Sequence, residues 1–144
     1  MQTVRDLLEE KGRVVWTIGP GRTVYEAHTL MAEKDIGALI VVEDGGKVRG
    51  IFSERDYARK VILKGASSRE ITVREVMTPR VFFVGPDQGL EECMALMTER
   101  RVRHLPIIDK ERLVGVISIG DVVKASIAQK DYMIGQLENY IMGG

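Results

Sequence analysis

The sequence predicts an α+β fold: two copies of a unit ordered strand, helix, strand, strand, helix, packed sheet against sheet. Three observations predict it. The chain repeats itself at a spacing of about 66 residues, the apolar residues of each copy switch between helical and strand periods in the same order, and the composition is that of a folded chain. Its 144 residues are the size of one domain, with 44% apolar and 29% charged residues, well away from the low-hydrophobicity regime of disorder.

The repeat comes first because it sets the architecture. A shift of 66 lays residues 15–43 on 81–109, and after a one-residue gap a shift of 65 lays 49–62 on 114–127. Identities run through both blocks, among them Gly19/Gly85, Pro20/Pro86, Glu26/Glu92, Leu30/Leu96, Leu39/Leu105, Gly50/Gly115, Ser53/Ser118 and Asp56/Asp121. Residues 3–8 resemble 72–77 in the same way, so each unit has its own lead-in. The expected division is residues 1–70 for the first unit with its lead-in helix, 71–128 for the second with its own, and 129–144 for a helical tail. Lys64-Gly65-Ala66-Ser67-Ser68 carries the linker composition.

Each element has a local cause. Val14 to Ile18 and Val81 to Val84 are β-branched or aromatic runs closed by Gly-Pro, which predicts a strand stopped by a turn. Val24, Ala27, Leu30 and Met31 fall at helical spacing, as do Leu90, Cys93, Met94 and Met97, giving an amphipathic helix of about three turns in each copy. Continuous apolar runs at 39–42 and 48–52, and again at 105–108 and 113–117, predict buried hairpins. Ser53 and Ser118 then stand where a hydroxyl caps a second helix. A unit of about 60 residues is marginal alone, so the two copies are expected to complete one core together. Ile127, Ile134 and Ile141 recur every seven residues, predicting an amphipathic tail helix that either covers the chain's own core or faces a partner.

Composition narrows the function. With 21 Lys+Arg against 21 Asp+Glu the net charge is zero, which gives no support to a nucleic-acid arm or a polybasic membrane anchor. One cysteine, Cys93, and two histidines are too few for an ordinary structural zinc site, and no metal is expected. The charged start, MQTVRDLLEEKGR, is unlike a signal peptide, and no run reaches about 18 apolar residues, so the expectation is a cytoplasmic protein without a membrane span. Cys93 falls on an apolar helix face and reads as buried and inert; His28 reads as a surface residue; Gly19-Pro20-Gly21-Arg22 lacks the Lys-Ser/Thr of a phosphate loop and reads as a turn. No catalytic residue is assigned, and the chain is not expected to be an enzyme.

One repeated pattern carries chemistry. Gly50 to Asp56 and Gly115 to Asp121 both read Gly-apolar-apolar-Ser-x-x-Asp. This puts a hydroxyl and a carboxylate in the first turn of a helix, where backbone N–H groups and the positive end of the dipole point outward. A carboxylate there suits the vicinal diol of a ribose, and the serine with the N–H groups suits a phosphate. The same pattern also reads as a capping box.

With the duplicated unit and this motif, the chain resembles the CBS-domain family, specifically a stand-alone tandem pair of the small bacterial and organellar type. The resemblance covers about residues 4–130 and rests on Arg103-His104-Leu105-Pro106-Ile107-Ile108 before a hairpin, Gly-x-x-Ser-x-x-Asp after it, and the run Ser53 to Lys60. It implies a tandem pair whose two units are related by pseudo-twofold symmetry, with two clefts, each walled by one motif and supplied with Ser-x-x-Asp by the other. Carried over, the first cleft uses Lys11, Trp16, Ile36 and Gly37 around a base, with Ser118 and Asp121 on ribose and phosphate. The second uses Thr78, Phe82, Val102 and Arg103 with Ser53 and Asp56. The implied ligand is an adenosyl compound (AMP, ADP, ATP or NAD(H)), with no catalytic cofactor.

Lys11 replaces a small polar residue common at its position, and Gly120 stands where Arg55 stands in the other copy. Arg55, Arg59, Arg103 and His104 are therefore expected to gather at the second cleft, while Ile119 and Gly120 flank the first. The second cleft is expected to take the more highly phosphorylated ligand. Two roles follow: a nucleotide sensor that signals to an effector protein, or a ligand-independent interaction module with vestigial clefts. The resemblance also implies a homodimer, for which faces bearing Met31, Met94 and Met97 are candidates.

Overall fold

The computed structural model describes residues 2–63, 65 and 67–143; Lys64 and Ala66 of the expected linker lie outside them. In chain order the elements are α1 (Val4–Lys11), β1 (Thr17–Ile18), α2 (Val24–Lys34), β2 (Ala38–Val42), β3 (Val48–Ser53), α3 (Glu54–Asp56) running into a π-helical segment (Tyr57–Ile62), α4 (Val73–Val76), α5 (Leu90–Arg100), β4 (His104–Asp109), β5 (Arg112–Ser118) and α6 (Ile119–Gly143). One sheet has the order β1, β2, β3, with β1 parallel and β3 antiparallel to β2. The other is the antiparallel pair β4 and β5.

The repeat survives in backbone detail. Both hairpins shift register at equivalent points, between Val41 and Val42 and between Ile107 and Ile108. Both α2 and α5 end in a left-handed residue, Asp35 (φ 52°) and Arg101 (φ 54°). The amide of Glu54 donates to the Gly37 carbonyl at 3.1 Å and that of Ile119 to the Arg103 carbonyl at 2.8 Å, tying the start of each second helix to the chain entering its hairpin.

The opening strands are shorter than their apolar runs predict. Only Thr17 and Ile18 pair in the first unit, and in the second a single bridge joins Val84 to Ile107. Phe83 faces solvent, while Val14, Trp16 and Phe82 line clefts, so only the end of each run reaches its neighbour.

Two hydrophobic clusters form rather than one shared core. One gathers Val24, Ala27, Met31, Leu39, Val41 and Phe52 with Val73 and Val76 of α4; the other gathers Val84, Leu90, Cys93, Met97, Leu105 and Ile117 with Val4, Leu7 and Leu8 of α1. Each lead-in helix is thus completed by, and completes, the other unit's elements. Bridges from Thr3 to Gly89 and from Thr23 to Thr72 stitch the crossings. Two glycines allow close approach there, and at Gly50, which abuts backbone, no side chain fits. A Cβ on Gly50 would sit 2.7 Å from the Thr78 carbonyl oxygen, and one on Gly115 would sit 2.7 Å from Leu8 Cδ2. Met31 and Met97 belong to these clusters and are buried, so they form no exposed interface face. The core was built from apolar periodicity, and truncating fully buried Phe52 to alanine is expected to cost about 3–5 kcal/mol.

Past Ala125, the last buried residue of α6, the tail projects away from the core. Ile127, Tyr132, Met133, Ile134, Leu137, Tyr140 and Ile141 are all exposed, so the tail helix does not cover the core of its own chain.

Candidate functional site

Two clefts contain the repeated serine and aspartate. Ser53 caps α3: its hydroxyl accepts from the Asp56 amide at 3.3 Å, and Asp56 Oδ2 accepts from the Ser53 amide at 3.0 Å. Ser118 and Asp121 repeat this at 3.1 and 2.8 Å. Both copies are therefore reciprocal capping boxes. Each aspartate makes further bonds inside its cleft.

The Asp56 cleft has a volume of about 390 Å³ and brings together Ser53, Arg55, Asp56, Arg59, Thr78, Phe82, Val102, Arg103 and His104, all expected there from the sequence. It also takes in Ile51, Lys60, Arg80, Arg100 and Arg101. Asp56 is buried and fully engaged. Oδ2 accepts from the Ser53 hydroxyl at 3.1 Å, while Oδ1 accepts from the Thr78 hydroxyl at 3.0 Å and pairs with Lys60 at 3.2 Å. Lys60 also donates to the Val76 carbonyl at 2.9 Å, which fixes it on the lead-in. Thr78 itself pairs with Ile51 through both backbone groups. Among the described residues Arg55, Arg59, Arg80, Arg100, Arg101 and Arg103 form no ion pair.

The Asp121 cleft, about 450 Å³, brings together Lys11, Trp16, Ile36, Gly37, Ser118 and Asp121, again the residues expected. Its other walls are Gly12, Val14, Asp35, Ala38, His104 and Val116; of the first turn of α6 only Asp121 lines it, and Ile119 and Gly120, expected to flank it, do not. Lys11 ends α1 and reaches across to bond Asp121 and to donate to the Val116 carbonyl at 2.7 Å. Burial pushes the Asp121 carboxyl up, but hydrogen bonds from Lys11 and from Ser118 outweigh it and hold it below the usual carboxylate value. His104 lines both clefts. Burial, then the nearby Lys11 charge, lowers its pKa, and Asp121 opposes them.

Each aromatic wall carries a cation. Lys34 Nζ lies 4.4 Å from the Trp16 ring centre, and the Arg100 guanidinium lies 5.1 Å from that of Phe82. Lys34 and Arg100 are repeat partners, as are Trp16 and Phe82, so the shift of 66 that found the motif also marks these stacks. Arg80 and Arg101 had no such signal, since neither lies in a motif. Away from the clefts, Cys93 is buried and burial pushes its thiol up to about 11, while exposed His28 packs edge-on against Tyr57 at 4.5 Å.

Comparison with known proteins gives the same two blocks. The family model for the CBS domain matches residues 4–63 and 73–128. The CBS domain-containing protein CBSX3, mitochondrial, of Arabidopsis thaliana is 36% identical over 99% of this chain and 73% of its own length. A solved protein with CBS domains from Burkholderia ambifaria MC40-6 is 52% identical, with a TM-score of 0.84 over 88% of this chain and 95% of its own. The CBS pair of protein MJ0100, solved with 5′-methylthioadenosine and S-adenosyl-L-methionine, superposes with a TM-score of 0.80 over 90% of this chain and 98% of its own, at 22% identity, a likeness of fold.

Proposed function

This chain belongs to the CBS-domain family, whose tandem pairs are regulatory modules, and on that premise we propose that it is a sensor of adenine nucleotides. AMP, ADP, ATP or NAD(H) occupies the clefts, shifts the packing of the two units and thereby alters a surface read by an effector protein. The reading is carried by one observation: in the Asp56 cleft a single, fully engaged carboxylate is surrounded by arginines with no ion-pair partner among the described residues. A cleft of that kind favours an anion with several charges, and the arginine fork suits phosphate. The Asp56 cleft takes the more highly phosphorylated ligand and the Asp121 cleft a less charged one. Ligand binding changes the packing only by its difference in affinity between the two arrangements. The protein acts without catalysis, as a homodimer. No described helix is long and apolar enough to cross a membrane, and the lone buried cysteine suits a reducing compartment such as the cytoplasm.

One observation favours a second reading, a ligand-independent scaffold. Both aspartates are already bonded within the chain, by Lys60 and Thr78 or by Lys11. Thermal melting with AMP, ATP and NAD separates the two, since a ligand at about 100 times its dissociation constant adds roughly 2.7 kcal/mol of stability. A raised melting temperature supports the sensor, and an unchanged one with every adenosyl ligand supports the scaffold.

A further inference from the structure

The last 18 residues of α6 are a helix without a core. After Ala125 no side chain of the described tail is buried, yet Ile127, Met133, Ile134, Leu137, Tyr140 and Ile141 fall on one stripe and are each more than half exposed. A helix of this length gains little stability by itself in water, so an apolar stripe along it calls for an occupant.

The order of residues along the stripe identifies it. The three charged residues between 126 and 143 are Lys130, Asp131 and Glu138. Counting from Ile134, isoleucines stand seven residues away on both sides, at 127 and 141, while four residues away stand Lys130 on one side and Glu138 on the other. The pattern reads apolar, cation, apolar, anion, apolar, and it is its own complement when reversed. In an antiparallel pair of tails with the twofold axis at Ile134, Ile127 meets the partner's Ile141 and Lys130 meets the partner's Glu138, each twice by symmetry. In a parallel pair, Lys130 would face the partner's Lys130 and Glu138 the partner's Glu138, a like-charge cost. Gly135 beside the axis has open space where a Cβ would stand, leaving room for a close crossing.

We propose that the tail of α6 is a self-association surface that pairs antiparallel with the tail of a second copy of this chain, centred on Ile134. The pairing locates the homodimer contact and holds whatever the clefts bind. Sedimentation of the full chain tests it, with circular dichroism to confirm that each variant keeps its fold. The native chain sediments as a dimer at micromolar concentration, and Ile134→Asp makes it a monomer. Lys130→Glu and Glu138→Lys each weaken the dimer by about tenfold, because both symmetry-related pairs become like-charged. The double variant Lys130→Glu, Glu138→Lys restores it, a rescue that parallel pairing cannot give. A native monomer, a dimer indifferent to Ile134→Asp, or a double variant no tighter than the singles would each overturn the proposal.

Discussion

Asp56 and Asp121 stand at equivalent points of the repeat, each locked with a serine three residues earlier, yet each draws its lysine from a different place. Asp56 takes Lys60 from the π-helical turn that follows it; Asp121 takes Lys11 from the lead-in helix of the other half of the sequence. The lead-ins explain the exchange. Residues 77–78 run flat against β3, so Thr78 pairs with Ile51 and its hydroxyl reaches Asp56. In the other copy α1 stays helical to Lys11, the backbone pairing is missing, and the lysine side chain satisfies the Val116 carbonyl instead. The duplicated motif therefore specifies where a carboxylate stands, while the unduplicated surroundings decide its charge environment: one cleft is rimmed by arginines with no ion-pair partner among the described residues, the other holds Lys11 paired with Asp121, with Asp35 on its wall.

The largest effect that can break this comparison comes from the arginines. Charge-assisted hydrogen bonds contribute about 1.5–3 kcal/mol each, so the double variant Arg55→Ala, Arg103→Ala should weaken ATP at the Asp56 cleft by about a hundredfold or more in calorimetric titration. AMP at the Asp121 cleft should hardly change. Equal losses at both clefts would mean that the arginines act on the fold rather than on a ligand.

Next in size is the difference between the aspartates. Asp56 is buried beneath four donors, so Asp56→Ala strands polar groups at about 1–3 kcal/mol each, whereas Asp121 is half-buried and its lysine can turn to water. Melting temperature should fall further for Asp56→Ala than for Asp121→Ala, and the opposite order would break the assignment of roles.

The fold was legible because its signals are local and stated twice. Helical spacing at 24–31 and 90–97, apolar hairpins and the two serine caps all survive as elements. What escaped depends on contacts far apart in sequence. Nothing in residues 3–8 shows that α1 packs with β4 and β5 rather than its own unit, and Met31 and Met97 have the composition of either core filler or interface. Every residue expected to hold the ligand lines a cleft, whereas Ile119 and Gly120, expected to flank the first, do not. Arg80 and Arg101 escaped because an arginine outside a motif carries no sign of which way the chain will turn it, and Lys11, expected around a base, bonds the carboxylate instead.

A smaller effect is pH. Lys11 and Ser118 hold the Asp121 carboxyl below its ordinary value, so this group binds protons more readily in the unfolded chain. Its contribution to stability is complete above the ordinary carboxylate pKa and is lost as pH falls through the lowered folded value. The stability difference between the native protein and Lys11→Met, followed by thermal melts, should shrink across that acidic window and stay level at neutral pH. A difference that grows with acid would contradict the sign.

Smallest is the response of His104. Burial first and Lys11 second keep its pKa below the ordinary imidazole value, so Lys11→Met should move its NMR titration upward. No movement would place Lys11 outside the field felt by the imidazole that lines both clefts.

The most direct test of the central claim is the ratio of ATP to AMP affinity, measured cleft by cleft by calorimetry in Asp56→Asn and Asp121→Asn. With Asp121 replaced, the remaining Asp56 cleft should prefer ATP by about tenfold or more, the gain from one to two further charge-assisted contacts. With Asp56 replaced, the remaining cleft should bind the two nucleotides within about threefold of each other, a difference below one such contact. The same strong ATP preference in both variants, or a preference for AMP at the Asp56 cleft, would contradict the division of labour between the two clefts.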